Sequence, residues 1–293
     1  MGYRAVLRLI AALLAVLPAT AFAHFDAGGQ GSSFEPLLIA LLSASAAGYA
    51  WGVAALWRKA GAGRGIRIVE VARFVAGWTV LAAALLSPID ELTGASFAVH
   101  MIQHEMLMVV AAPLLVLSRP LEAWTWALPP GAARALAIAF SARPIRALWR
   151  RATAPTFAWC FHALALWVWH APLLFVAALA SEPLHVLQHT CFFASALVFW
   201  WAAWGRGLRA RNGASIALLF TTMLHTSALG LLLTFAPTPW YAQESGLSGL
   251  TALEDQQLGG LVMWVPGSFA YLIAGLAIVA LWLSPARVQR HPA

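Results

Sequence analysis

The sequence predicts an all-α polytopic membrane protein, a bundle of seven transmembrane helices behind a signal peptide. Three observations carry the prediction. Of 293 residues, 61% are hydrophobic and only 10% charged, with 15 tryptophans, a composition of membrane rather than soluble chains. After the leader, seven apolar runs are each long enough to cross about 30 Å of hydrocarbon at about 1.5 Å per residue. Between those runs the charges sort by alternate segment, as successive crossings require.

The elements follow in order. Arg4 and Arg8 precede the apolar run Leu9–Leu17, and Ala21-Phe22-Ala23 supplies an A-x-A cleavage pattern, so residues 1–23 read as a cleaved signal peptide and 24–293 as the membrane domain. Cleavage would leave His24 at the amino terminus, where amine and imidazole together can chelate copper. The spans are expected at 36–57, 68–88, 97–118, 156–180, 184–204, 214–235 and 258–283. The first loop holds Arg58, Lys59, Arg64 and Arg67, and the third Arg119, Arg134, Arg143, Arg146, Arg150 and Arg151. The fifth holds Arg206, Arg209 and Arg211, and the tail Arg287 and Arg290. The alternate segments lack Lys and Arg and carry Asp26, Glu35, Asp90, Glu91, Glu182, Glu244, Glu254 and Asp255. By the positive-inside rule the mature amino terminus lies outside and the carboxyl terminus in the cytoplasm. The net charge of +7 therefore belongs to a surface that meets the anionic lipid bilayer, not nucleic acid.

The loop 119–155 contains Pro129-Pro130, Ala132–Phe140 and Arg143-Pro144, which predicts a short helix on the inner interface. Pro113, Pro172 and Pro266 fall inside spans and free carbonyls that must find partners within the protein. Gly259-Gly260 and Gly267 permit close helix approach or hinge motion.

The sequence His-x-x-Gln-His occurs twice, as His100–Gln103–His104 and His185–Gln188–His189. Residues four apart on a helix lie about 40° apart around its axis, so each pair points one way. Ionisable side chains inside a span are costly and face the bundle interior or a cavity. The orientation above places both pairs in the first turns of the third and fifth spans. His170 and His225 fall about 15 Å deep in the fourth and sixth. Six histidines from four helices thus share the outer half. A single intramembrane histidine usually makes a helix–helix hydrogen bond; two matched pairs suggest a site. His162 lies nearer the cytoplasm and reads as a packing residue.

Neutral imidazole suits copper, iron and zinc, and thioether sulfur favours copper(I). Met108 extends the His100–His104 stripe and Met263 lies two turns into the last span, although apolar spans also use methionine as flexible filler. Gln103 and Gln188 are natural partners to fix an imidazole tautomer. Asp255, Gln256 and Gln257 stand at the outer entrance of the last span. Glu105 follows His104, but Met108 stands where a zinc-protease motif needs its second histidine. Cys160 and Cys191 fall at depths of about 30 Å and 10 Å, too far apart to pair, and read as buried apolar thiols. Cys191 also sits about 200° around its helix from His189, which argues against thiolate ligation. No Ser-His-Asp set, phosphate loop or P-type ATPase motif is present, so the chain is not expected to be an enzyme.

Assembled, these residues resemble the multi-span CtaG family of cytochrome c oxidase assembly factors, as distinct from the single-span copper chaperone of the same name. The matching stretches are His100–His104 running into Ala112–Leu117, then Trp169-His170-Ala171-Pro172, His185–His189, Asp255–Gly260 and Met263–Gly267, in a resemblance that covers about residues 34 to 283. The resemblance implies a bacterial inner-membrane protein that helps copper reach the subunits of a haem-copper oxidase, with a periplasmic copper carrier as a further partner. Two other classes compete with it. One is a membrane cytochrome with haem held between His104 and His189, or between His170 and His225; the other is a copper transporter.

Overall fold

The computed structural model describes residues 34–204, 212–241 and 249–283. The signal peptide, His24, Asp26, Glu244, the fifth-loop arginines and the tail with Arg287, Arg290 and His291 lie outside them. Among the described residues the protein is helical with no strands. Its helices are α1 (Glu35–Ala60), α2 (Ile68–Leu86), the short α3 (Pro88–Leu92), α4 (Phe97–Leu117), α5 (Pro120–Ala127), α6 (Pro130–Ser141), α7 (Arg143–Ala152), α8 (Pro155–Trp169), α9 (Pro172–Ala180), α10 (Glu182–Trp204), α11 (Asn212–Thr234) and α12 (Ala252–Leu283). Six are long and apolar enough to cross a membrane, and the bent pair α8–α9 makes a seventh crossing if counted as one span. This is a polytopic membrane protein.

Local sequence sets the helix ends. The Glu70 carboxylate accepts the Arg67 amide at 2.7 Å and so closes the start of α2, a capping box. The Ser87 hydroxyl accepts the Ile89 amide at the head of α3 and Ser96 accepts the Val99 amide at the head of α4. Prolines occupy the first turns of α5 to α9, where a missing N–H costs nothing.

The expected span 156–180 is not one straight rod. Pro172 drives Ala171 out of the helical region, to ψ 129°, as proline does to its predecessor. The chain turns by 73° between α8 and α9. The loop 119–155 also exceeds expectation, forming three helices where one was predicted. Both α6 and α7 lack buried residues. By contrast, α5 packs on α1 with Ala123 fully buried, and the Trp124 indole donates to the Ser45 carbonyl at 2.9 Å.

The centre of the bundle is α4, which packs against α2, α10 and α12. Its middle, Met106–Ala111, is a π-helical segment, and the Trp200 indole of α10 donates to the Met108 carbonyl at 2.8 Å. The polar backbone loosened by the wide turn and by Pro113 is thus served from inside the protein, as hydrocarbon surroundings demand. The glycines of α12 serve close approach. A side chain at Gly259 would meet Phe97, and one at Gly260 would meet the Gly230 carbonyl of α11. Pro266 leaves α12 unbroken. The outer surface of the bundle is apolar, with residues such as Leu173, Phe235 and Ile273 well exposed, as a lipid-facing surface requires. Cys160 and Cys191 are free thiols as expected, but neither is fully buried: Cys160 is exposed and Cys191 half-buried.

Candidate metal centre

Two helices and one helix break bring histidines together. On α4, His100 and His104 stand one turn apart with ring centres separated by 4.4 Å. On α10, His185 and His189 repeat the arrangement at 4.2 Å. Across the two helices His100 lies 5.2 Å from His185 and 5.7 Å from His189, and His104 lies 5.3 Å from His189. The fifth ring, His170, stands at the end of α8, where the chain breaks, and lies 5.7 Å from His104. Ligand nitrogens of His100, His185 and His189 all fall within 4.8 Å of one another, close enough to share one ion.

The nitrogens of this cluster are buried and poorly partnered. His100 and His104 have no hydrogen-bond partner at either nitrogen, and His170, His185 and His189 have none at Nε2. Gln188 lies beside His100 without a bond of regular geometry. A buried polar group left unpaired costs about 1–3 kcal/mol, so several at one spot are unfavourable unless a ligand completes them. Only His170 is fixed by a protein partner. Its Nδ1 donates to the Leu166 carbonyl at 2.7 Å, which leaves the lone pair on Nε2. Aromatic rings wall the cluster, Phe175 at 5.0 Å from His100 and Phe192 at 4.5 Å from His104.

The other expected residues divide sharply. His225 does not join the five. It sits on α11, which packs chiefly along α12, and its ring lies edge-on to Trp159 at 5.5 Å. His162 hydrogen-bonds Ser195 at 3.0 Å and faces the Tyr271 hydroxyl at 3.5 Å. Asp255 is spent on structure: its carboxylate accepts from the Ser96 hydroxyl and from the Phe97 and Ala98 amides. Gln256 is occupied as well, accepting the Trp240 amide at 2.6 Å and donating to the Leu233 carbonyl. The Gln257 carbonyl accepts from Thr234 at 3.5 Å. Met108 and Met263 are packed within two hydrophobic clusters. Gln103 does not bond a histidine; its amide donates to the Ala84 carbonyl at 2.7 Å and to Asp90 at 2.6 Å. Gln188 donates weakly to the Trp169 carbonyl at 3.5 Å.

Two contributors were not singled out in the sequence as part of the site. Asp90, on α3, stands near enough to His185 to feel its charge; burial pushes its carboxyl above the usual range, while the Gln103 amide and His185 pull it down. The acid two residues after Ser87-Pro88, a helix start, was the available signal. Tyr241 covers the cluster from the loop after α11. Its hydroxyl donates to the His170 carbonyl at 2.8 Å, and its ring lies on Phe97 and Phe175. Access is instead lateral. A cleft of about 1200 Å³ between α1, α2 and α10 reaches His185 and His189, with Glu35, Asp90 and Glu182 also among its lining residues.

Fold and site together define a class: a multi-pass helical membrane protein with a cluster of imidazoles in its interior. A family model described as cytochrome c oxidase caa3 assembly factor (Caa3_CtaG) matches residues 47–284, a stretch that includes all five clustered histidines. The chain belongs to this family of oxidase assembly factors, in agreement with the resemblance drawn from its motifs. No curated protein and no solved structure gives a significant match.

Proposed function

We propose that this assembly factor binds copper at the histidine cluster and passes it to a subunit of a haem-copper oxidase. It does so from the bacterial inner membrane, with the mature amino terminus and the cluster on the periplasmic side and the carboxyl terminus in the cytoplasm. The observation that carries the reading is the set of buried imidazole nitrogens without protein partners on His100, His104, His170, His185 and His189. Neutral imidazole is a good ligand for copper, and an assembly factor for a copper enzyme has reason to hold that ion. Acidic residues lining the cleft would draw cations toward His185, with a periplasmic carrier as the source.

The chain's own residues supply binding and exclusion. The rings offer lone pairs, Phe175, Phe192 and Tyr241 keep water from the interior, and the cleft gives the ion a way in and out. The packing favours an ion over haem. A macrocycle roughly 10 Å across would have to pass between axial rings, where Phe192 already lies 4.5 Å from His104, and His170 and His225 do not face one another.

A strain lacking the chain tests the reading. Oxidase activity should fall at limiting copper and recover at least in part when copper is added in excess, because a delivery protein changes the supply of the ion and not the oxidase's final affinity. Unaltered oxidase at limiting copper in that strain would overturn the assembly role here, and loss that no copper restores would overturn delivery.

A further inference from the structure

We infer that the cluster holds two copper ions, an outer one on His100, His185 and His189 and an inner one on His104 and His170. This rests on the copper reading above and extends it. Only the first three histidines bring their ligand nitrogens within 4.8 Å of one another, a set that His104 and His170 do not join. Those two are nevertheless neighbours, with ring centres 5.7 Å apart and the rings edge to face. Two imidazoles on one ion, with metal–nitrogen bonds of about 2.0 Å, place their ring centres about 5–6 Å apart.

Both inner rings are prepared for a ligand. His104 is 1% and His170 2% exposed, and neither His104 nitrogen nor His170 Nε2 has a partner. The Leu166 carbonyl takes the proton-bearing Nδ1 of His170, so the tautomer and the ring direction are set before any ion arrives. The helix break matters here. It makes His170 the capping residue just past α8, and Tyr241 holds its carbonyl from the loop side.

The two sites differ in access. His185 and His189 line the cleft, whereas His104 and His170 do not. The Phe192 ring stands 4.5 Å from His104 and 5.5 Å from His170 and walls the inner pair. The outer ion therefore exchanges with the surroundings, and the inner ion leaves only through the outer site or by movement of that wall.

The test counts metal on the purified full-length protein in detergent, loaded anaerobically with excess Cu(I) and desalted, together with the rate of copper loss to a water-soluble Cu(I) chelator. Wild type should hold two ions per chain and release them in two phases. His170→Ala and the gentler His170→Gln should each hold one, released in the fast phase, with helix content by circular dichroism unchanged. His185→Ala should lose the fast phase. A single ion in wild type, or two ions retained in a folded His170 variant, would overturn the second site while leaving copper binding intact. No bound copper in wild type would instead overturn the copper reading on which the inference rests.

Discussion

The Asp255 carboxylate and the Phe97 amide, 158 residues apart in sequence, meet at 2.7 Å. With the Ser96 hydroxyl and the Ala98 amide added, one acid on α12 satisfies the otherwise orphan donors that open the helix bearing His100 and His104. A carboxylate at a helix amino terminus also answers the positive end of the helix dipole. The last span thereby fixes the position of the first histidine pair.

Replacing that acid should loosen the whole centre. Asp255→Ala strands buried donors that the carboxylate now accepts and should cost roughly 2–4 kcal/mol. Asp255→Asn, keeping one acceptor oxygen, should cost less. Thermal unfolding of the purified protein in detergent measures both, and an unshifted melt for Asp255→Ala would show that α4 is held by other contacts.

The seam between α1 and α5 makes a second prediction. A Cβ at Gly52 would run into the Ala123 backbone carbonyl, whereas one at Gly275 meets nothing within 4 Å. Gly52→Ala should therefore push α5 away and destabilise the protein by about 1–3 kcal/mol. Gly275→Ala should be neutral or slightly stabilising, since alanine favours a helix interior. Equal melting temperatures for the two variants would contradict the packing.

Topology is testable with single cysteines in a background free of Cys160 and Cys191. Thr238 and Ala132 are both exposed and lie at opposite ends of the bundle in the charge pattern. Thr238→Cys should react with an impermeant thiol reagent added from the periplasmic side, and Ala132→Cys only after the membrane is opened. The reverse pattern would place the histidines on the cytoplasmic side.

Asp90 predicts a pH dependence of stability. Burial holds its folded-state carboxyl above the unfolded value of 3.8, so the folded protein prefers it protonated. That contribution is full below the unfolded value and is lost as pH rises through the folded one. Asp90→Asn cannot ionise and keeps an oxygen for Gln103. Its melting temperature should gain on wild type as pH rises from about 4 to about 7, and a constant difference would remove the charge from the explanation.

The spans and the histidine pairs were legible because both depend on local sequence: apolar runs for the first, four-residue spacing for the second. His170 was found in sequence as well, yet as part of a straight span; the break that presents it depends on how far Pro172 turns the chain. His225 lies apart from the five, against Trp159, because position along a span gives depth and not the face a residue shares. Asp255 and Gln256 read as site residues because polar groups at a span entrance suggest ligands. Their actual partners, the head of α4 and the loop near Trp240, are long-range contacts that no local pattern encodes. Gln103 likewise has partners no local pattern encodes, Asp90 and the Ala84 carbonyl.

The π-helical segment Met106–Ala111 acts as a phase adjuster. Each helical residue advances the face by about 100°, and a π turn absorbs about one residue more than an α turn. The segment thus resets the angular bookkeeping between the two ends of α4: His100 and His104 can aim at α10 and the α8 break while Ala112 and Leu115 still meet the core. Deleting one residue there would mend the hydrogen-bond ladder and, in doing so, twist the histidines about 100° out of step with the packing below. The irregular turn is what lets one helix answer to two directions.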